Sequence, residues 1–271
     1  MPRSIYFIVM LLFTAVTASS QEEKWDVYMA QYEKGPGSTL INMGLKDQAP
    51  VKQFPFLLKA GIKMLDCSKE GLPTDGELKT LHAISDTMKS VITSTCQCIE
   101  AGTFSYQCNR TDYYYIEDTV RIRDRLEEAF KKYFPQYESL ITVKPDSAWE
   151  AYLTFLYPNE ETQEYMSNEK VVGKLVESGD DLSQARQVNH WLYFKTERER
   201  GLFLVYAQKD KFKLEAEKYS ANSALPYSLQ ISRNDKVDLA SISAITLRMR
   251  RKAKELNGDY DGWETFVIKS K

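Results

Sequence analysis

The spacing of apolar positions changes several times along the chain, and each change marks an element. Trp25 to Tyr32 and Ser38 to Leu45 read as two extended runs joined by Glu33-Lys34-Gly35-Pro36-Gly37, a concentration of turn residues that predicts a hairpin. Phe54 to Leu65 is a third, mostly apolar strand. Thr74 and Glu77 have the spacing of a capping box, and behind them Leu78, Leu81, Ile84, Met88 and Val91 recur at helical intervals, so a helix is expected from Thr74 to Thr93. Thr95–Ile99 and Asp112–Glu117 have the composition of paired strands. Ile122, Leu126, Ala129, Phe130 and Tyr133 share one helical face, and Ser139–Lys144 is the next strand.

The polar, turn-rich stretch Pro158 to Ser167 is the expected domain boundary, followed by a short helix carrying Val171, Val172, Leu175 and Val176. His190–Phe194 is an aromatic strand, and Thr196 with Glu199 forms a second capping box ahead of a helix through Leu202, Phe203 and Tyr206. Phe212, Leu214 and Ala216, then Tyr227, Leu229 and Ile231, alternate with polar residues as half-buried strands do. Leu239, Ile242, Thr246, Met249, Ala253 and Leu256 predict a long helix capped by Asn234 or Asp235 and stopped at Gly258, with Tyr260–Ile268 as the closing strand. The order strand, helix, strand, strand, helix, strand therefore occurs twice. The fold class expected is α+β, with two tandem ferredoxin-like (βαββαβ) sandwich domains over 21–158 and 159–271, the first preceded by a β-hairpin.

The N-terminus changes the picture of where the protein works. Arg3, the apolar run Ile5 to Val16 and the small residues Thr17-Ala18-Ser19-Ser20 make residues 1–20 a cleavable signal peptide, because the run falls short of the roughly 20 residues a membrane span needs. Location in the periplasm or outside the cell follows, with no membrane span expected in the mature chain. A net charge of -2, from 36 basic and 38 acidic residues, supplies no field that would gather nucleic acid. Export makes disulfides permissible among the four cysteines. A fold-back near Gly102 and Thr103 would set Cys98 across from Cys108 and leave Cys67 for Cys96; free buried thiols and a four-thiolate zinc site are the competing readings, the latter lacking paired C-x-x-C spacing.

The familiar catalytic signatures, G-x-S-x-G, H-E-x-x-H and G-x-x-x-x-G-K, do not occur. Of the two histidines, His82 falls on an amphipathic helix, whereas His190 follows Asp180, Asp181 and Arg186 in a gathering of acid, guanidinium and imidazole. Taking strands that start at His190 and Tyr260 as antiparallel neighbours puts these two residues at opposite ends, about 20 Å apart, which disfavours a catalytic pair between His190 and Asp261 or Glu264. Gly258-Asp259-Tyr260-Asp261-Gly262-Trp263-Glu264 is the most distinctive string, with glycines suited to a bulge and Trp263 as either core or interface anchor. Arg248, Arg250, Arg251, Lys252 and Lys254 form a basic cluster near a helix C-terminus, where the macrodipole favours cations.

These strings resemble two known families. Residues from Asn168 to Ile268, through Gly179-Asp180-Asp181-Leu182, Arg186, His190, Tyr193-Phe194 and Gly258 to Glu264, are similar to the regulator of ribonuclease E activity B, which implies a ferredoxin-like fold that inhibits by binding. Residues from Lys24 to Pro158, with Trp25-Asp26-x-Tyr28, Gly71-Leu72-Pro73, Trp149-Glu150-x-Tyr152 and Phe155-Leu156-Tyr157-Pro158, resemble the domain of unknown function numbered six-nine-five. Ribonuclease E is cytoplasmic, so an exported chain implies a different, unknown protein partner. The reading is a non-enzymatic binding or regulatory protein without cofactor or metal, whose candidate interface is Asp180, Asp181, Arg186, His190, Tyr260, Asp261, Gly262, Trp263 and Glu264. A hydrolase-type enzyme using an unrecognised carboxylate and histidine site, and a structural envelope protein, are the alternatives.

Overall fold

A computed structural model describes residues 23–269; residues 1–20, expected to form a signal peptide, lie outside them. The chain divides into two units, the first ending at Tyr157 and the second beginning at Pro158. The first unit holds β1 (Trp25–Tyr32), β2 (Gly35–Asn42), β3 (Phe56–Lys63), α1 (Asp75–Thr93), β4 (Cys98–Tyr106), β5 (Asn109–Ile116), α2 (Ile122–Tyr133) and β6 (Ser139–Pro145). Its sheet runs β1-β2-β4-β5-β3-β6 with every neighbour antiparallel. One face carries the two helices: Leu81, Ile84, Met88 and Ile92 of α1 and Ile122, Leu126 and Phe130 of α2 pack with Leu58, Ile62, Tyr114 and Ile116 of the sheet.

Local chemistry departs from expectation at three places in this unit. The β1–β2 turn is only Glu33-Lys34, and Gly35, Pro36 and Gly37 already belong to β2. Gly37 is there for close approach, since a Cβ would stand 2.7 Å from the Tyr32 ring and 2.8 Å from that of Phe104. At α1 the Thr74 Oγ1 accepts from Glu77 N, but the Glu77 side chain does not complete a box. It is buried and accepts from Leu65 N at 3.0 Å and Tyr137 Oη at 3.1 Å.

The cysteine pairing differs from the expected Cys98–Cys108 and Cys67–Cys96: the disulfide joins Cys67 to Cys108, Cys96 is a buried free thiol and Cys98 a half-buried one. The chain does not fold back at Gly102. That glycine continues β4 beside a bulge after Glu100, where a Cβ would lie 2.5 Å from Leu40 O. The turn comes instead at Gln107 and Cys108, both at positive φ, so Cys98 pairs with Ile116 at the far end of the hairpin. Cys108 N donates to Gly71 O at 2.9 Å, which draws it to the loop that carries Cys67.

The second unit holds α3 (Glu160–Glu177), β7 (Arg186–Phe194), α4 (Glu197–Lys209), β8 (Lys213–Tyr219), β9 (Tyr227–Asp235), α5 (Leu239–Glu255) and β10 (Gly258–Glu264), with an antiparallel sheet in the order β10-β7-β9-β8. Counting the four βαββαβ strands of each unit in chain order, both sheets read 4-1-3-2, the first extended by the β1–β2 hairpin. Residues 158–167 are not an irregular linker but lead into and form the first half of α3, capped by Asn159, whose Oδ1 accepts from Thr162 N at 2.9 Å. The predicted capping box at Thr196 and Glu199 is formed. The α5 cap is Asp238, accepting from Ser241 N at 3.0 Å, because Asn234 and Asp235 still belong to β9. Gly258 opens β10 rather than ending α5; a Cβ there would be 2.4 Å from the Phe194 ring.

Candidate functional site

The expected site residues gather at one edge of the second sheet, but most of them point inward. Along β7 the alternation buries Arg186, Val188, His190, Leu192 and Phe194 on the helix side. Gly179, at positive φ, ends α3 and starts the loop that meets Arg186. The Arg186 guanidinium donates to Asp180 Oδ2 through Nη1, to Asp181 O at 2.5 Å, to Gln184 O at 3.2 Å and to Phe266 O at 3.1 Å. Asp180 Oδ2 also accepts from Ile268 N at 2.8 Å. This buried, multiply bonded ion pair fastens the 180–184 loop to the segment that follows β10, a task suited to the planar five-donor fork of arginine. Asp181 is half-buried, its carboxyl held below the usual carboxylate range by hydrogen bonds from the Ser183 and Gln184 side chains.

His190 and Tyr260 are not at opposite ends. His190 Nδ1 and Tyr260 Oη are 2.8 Å apart, both side chains buried. The expectation failed because β7 starts four residues earlier, at Arg186, which puts His190 mid-strand, and because β10 shifts register between Tyr260 and Gly262. Gly262 takes φ +143, which a bulge with glycine allows, and the shift sets Trp263 opposite His190. Trp263 is half-buried; its Nε1 donates to Asn168 Oδ1 at 2.8 Å, and Asn168 Nδ2 donates to Ser243 Oγ at 3.2 Å and Thr246 Oγ1 at 2.8 Å. Asn168 on α3 is a residue that sequence reasoning did not single out, and nothing in its polar neighbourhood there signals a buried bridge.

Burial, with the nearby Arg233 charge second, lowers the His190 imidazole to about 3. Burial also pushes the Tyr260 phenol well up. The pair is therefore a neutral, enclosed hydrogen bond at neutral pH. Its sign follows from proton uptake: the unfolded imidazole, near 6.5, binds a proton before the folded one does, so stability is full above about pH 6.5 and declines as pH falls toward 3. His190→Gln keeps a polar partner for Tyr260 without a titrating ring. Urea midpoints at pH 7 and pH 5 should fall further for the wild type than for the variant, and equal falls would sink this assignment. His82 is exposed on α1 and has no part in the site.

The cations of α5 are paired rather than free for a polyanion. Arg250 meets Glu164 at 2.7 Å, Arg251 meets Glu161 at 2.6 Å and Lys254 meets Glu160 at 2.6 Å, all on α3. Arg248 meets Asp210 at 2.9 Å and Lys252 meets Glu255 at 2.7 Å. What β10 turns outward is Asp261 and Glu264, followed by Phe266 at 57% exposure and Val267 at 41%. Gln187, Asn189, Glu264, Thr265 and Phe266 line a shallow cleft of about 410 Å³ there. Phe266 and Val267 lay at the end of the expected closing strand and were not read as surface groups, since strand periodicity alone does not reveal that β10 stops at Glu264.

An α+β chain of two antiparallel sheets with helices, its second unit presenting an acidic and apolar edge, finds its counterparts in two family models. Residues 23–157 match a family of unknown function, numbered 695, and residues 166–265 match the regulator of ribonuclease activity B. The two matches lie in tandem, the arrangement the sequence strings resemble. A regulator family in the second unit points to a regulatory or binding role. No curated protein matches the chain. Among solved structures, a putative glycine cleavage system transcriptional repressor is 10% identical over 79% of this chain and 98% of its own, with a TM-score of 0.24. An unknown protein from Galdieria sulphuraria is 12% identical over 78% of this chain and 98% of its own, with a TM-score of 0.21.

Proposed function

We propose that this is an exported, non-enzymatic regulator built of two ferredoxin-like units, which binds a protein partner of the envelope or extracellular space through the β10 edge of the second unit. The 4-1-3-2 order of both sheets supports the ferredoxin-like reading. The observation that carries the binding reading is the construction of that edge: Asp261, Glu264, Phe266 and Val267 face outward, and the Arg186–Asp180 pair fixes the backbone behind them. In this reading Arg186, His190, Tyr260 and Trp263 support the surface from inside, while Asp181, Asp261 and Glu264 contribute to it. A partner so engaged differs from a cytoplasmic ribonuclease, which an exported chain would not meet. The enclosure of His190 with Tyr260 disfavours acid–base catalysis, which needs a group within reach of substrate.

The test uses mature protein recovered from the envelope fraction, whose N-terminus should read at or near Gln21. Phe266→Ala combined with Glu264→Lys should weaken capture of the partner by about 2 kcal/mol or more if these residues form a hot spot. Both side chains are exposed, so the thermal midpoint should stay near that of the wild type. Undiminished capture by the double variant would refute the location, and a full-length cytoplasmic product would refute export.

A further inference from the structure

Among the described residues the two sheets have four edge strands: β1 and β6 in the first unit, β8 and β10 in the second. An edge offers unpaired backbone groups to any other strand, and charges, prolines and bulges discourage that pairing. Three of these edges carry such devices. β6 ends in Lys144-Pro145, β8 bears Lys213, Glu215, Glu217 and Lys218, and β10 is bulged beside Asp261. β1 is different: it pairs with β2 over all eight residues without a register shift and contains a single charge, Asp26. It exposes Val27 (54%) and Met29 (51%), and Leu40 of β2, directly opposite Val27, adds to the same apolar strip at 39%.

We propose that β1 pairs antiparallel with β1 of a second copy of this chain, about a two-fold axis at Tyr28, so that two six-stranded sheets become one. The two-residue turn makes Tyr32 and Gly35 the closing hydrogen-bonded pair of the hairpin, and bonding then alternates back along it. Ala30, Tyr28 and Asp26 therefore exchange bonds with β2, while the backbone groups of Trp25, Val27, Met29 and Gln31 face the open side. Val27 N has a local acceptor in Asp26 Oδ1 at 3.0 Å, which the new strand replaces. A two-fold at Tyr28 is the register that uses all four open residues, setting Val27 against Met29 of the second copy and Trp25 against Gln31. Within β1 the same register sets Asp26 against Ala30, so no like charges face each other inside the paired strands, and Glu23 meets Glu33 only beyond their ends. The strip is thus complementary to itself, as a two-fold interface requires.

Sedimentation of the full mature chain over a range of concentrations should show a monomer–dimer equilibrium. Met29→Lys, which puts a charge opposite Val27 at an exposed site, should raise the dissociation constant about tenfold or more. Leu214→Lys on the already charged β8 edge should leave it unchanged. In a Cys98→Ser background, a mixture of Val27→Cys and Met29→Cys proteins should form a disulfide-linked dimer faster than either protein alone. A monomer at every concentration, a dimer indifferent to Met29→Lys, or cross-linking no faster in the mixture would overturn the proposal.

Discussion

Trp149→Ala should lower the stability of the first unit by about 3–5 kcal/mol, the range for removing a fully buried aromatic side chain. The sheet face opposite α1 and α2 carries buried Leu57, Tyr115 and Ile41, and the segment from Asp146 to Leu156 covers it. Trp149 stacks on Tyr115 at 3.9 Å between centroids and 7° between planes, and its Nε1 donates to Phe54 O at 3.0 Å. Asp146 organises the segment, accepting from Tyr115 Oη at 2.8 Å, Glu150 N at 2.8 Å and Ala151 N at 3.0 Å. Burial, then the bond to Asp146, raises the Tyr115 phenol and keeps it a donor. Trp149 sits at φ 56, a left-handed conformation that its packing must offset. Alanine retains that backbone cost and loses the packing. Urea unfolding followed by a probe in the first unit should show the loss, and a change under roughly 1 kcal/mol would mean that the segment is a peripheral flap.

Arg186→Met is expected to cost the second unit roughly 3–5 kcal/mol, because it strands the buried Asp180 carboxylate without its cation. The damage should be local before it is global. Hydrogen exchange should speed up first in 180–184 and 265–269, the two segments that the guanidinium joins. Arg186→Met combined with Asp180→Leu removes both charges and should recover much of the stability, as apolar replacements of buried ion pairs often do. It should not recover partner capture if Phe266 and Val267 need the clamp for their position. Failure of the double variant to regain stability would show that the backbone bonds to Asp181, Gln184 and Phe266, rather than the charge pair, hold the loop.

The legible parts of the fold were those where one face is apolar and the other is not. The apolar faces of α1, α2 and α5 and the alternation in β9 come directly from burial, so their spacing is visible along the chain, whereas β7 was legible only over its aromatic second half and the alternating β8 is almost wholly exposed. The first half of α3 was hidden because Glu160, Glu161 and Glu164 reach their partner helix through ion pairs instead of apolar contacts. β4 was cut short because Gly102 has the look of a turn residue, whereas it makes room for Leu40 O. That misplacement of the turn also misassigned the disulfide. At the candidate site, the string from Gly258 to Glu264 could be picked out by composition, and so could Arg186 and Asp180. The contact between His190 and Tyr260 could not, since it depends on where two strands begin and on a one-residue bulge.

The central claim, that the β10 edge of an exported chain engages a protein partner, is tested most directly by a photo-crosslinking amino acid placed at Phe266 in the living cell. A matched probe at Leu202, an exposed apolar position on α4, serves as the control. The account predicts a discrete covalent adduct to one envelope or extracellular protein from position 266 and none to that protein from position 202. No adduct at 266, or the same adduct from both positions, would contradict it.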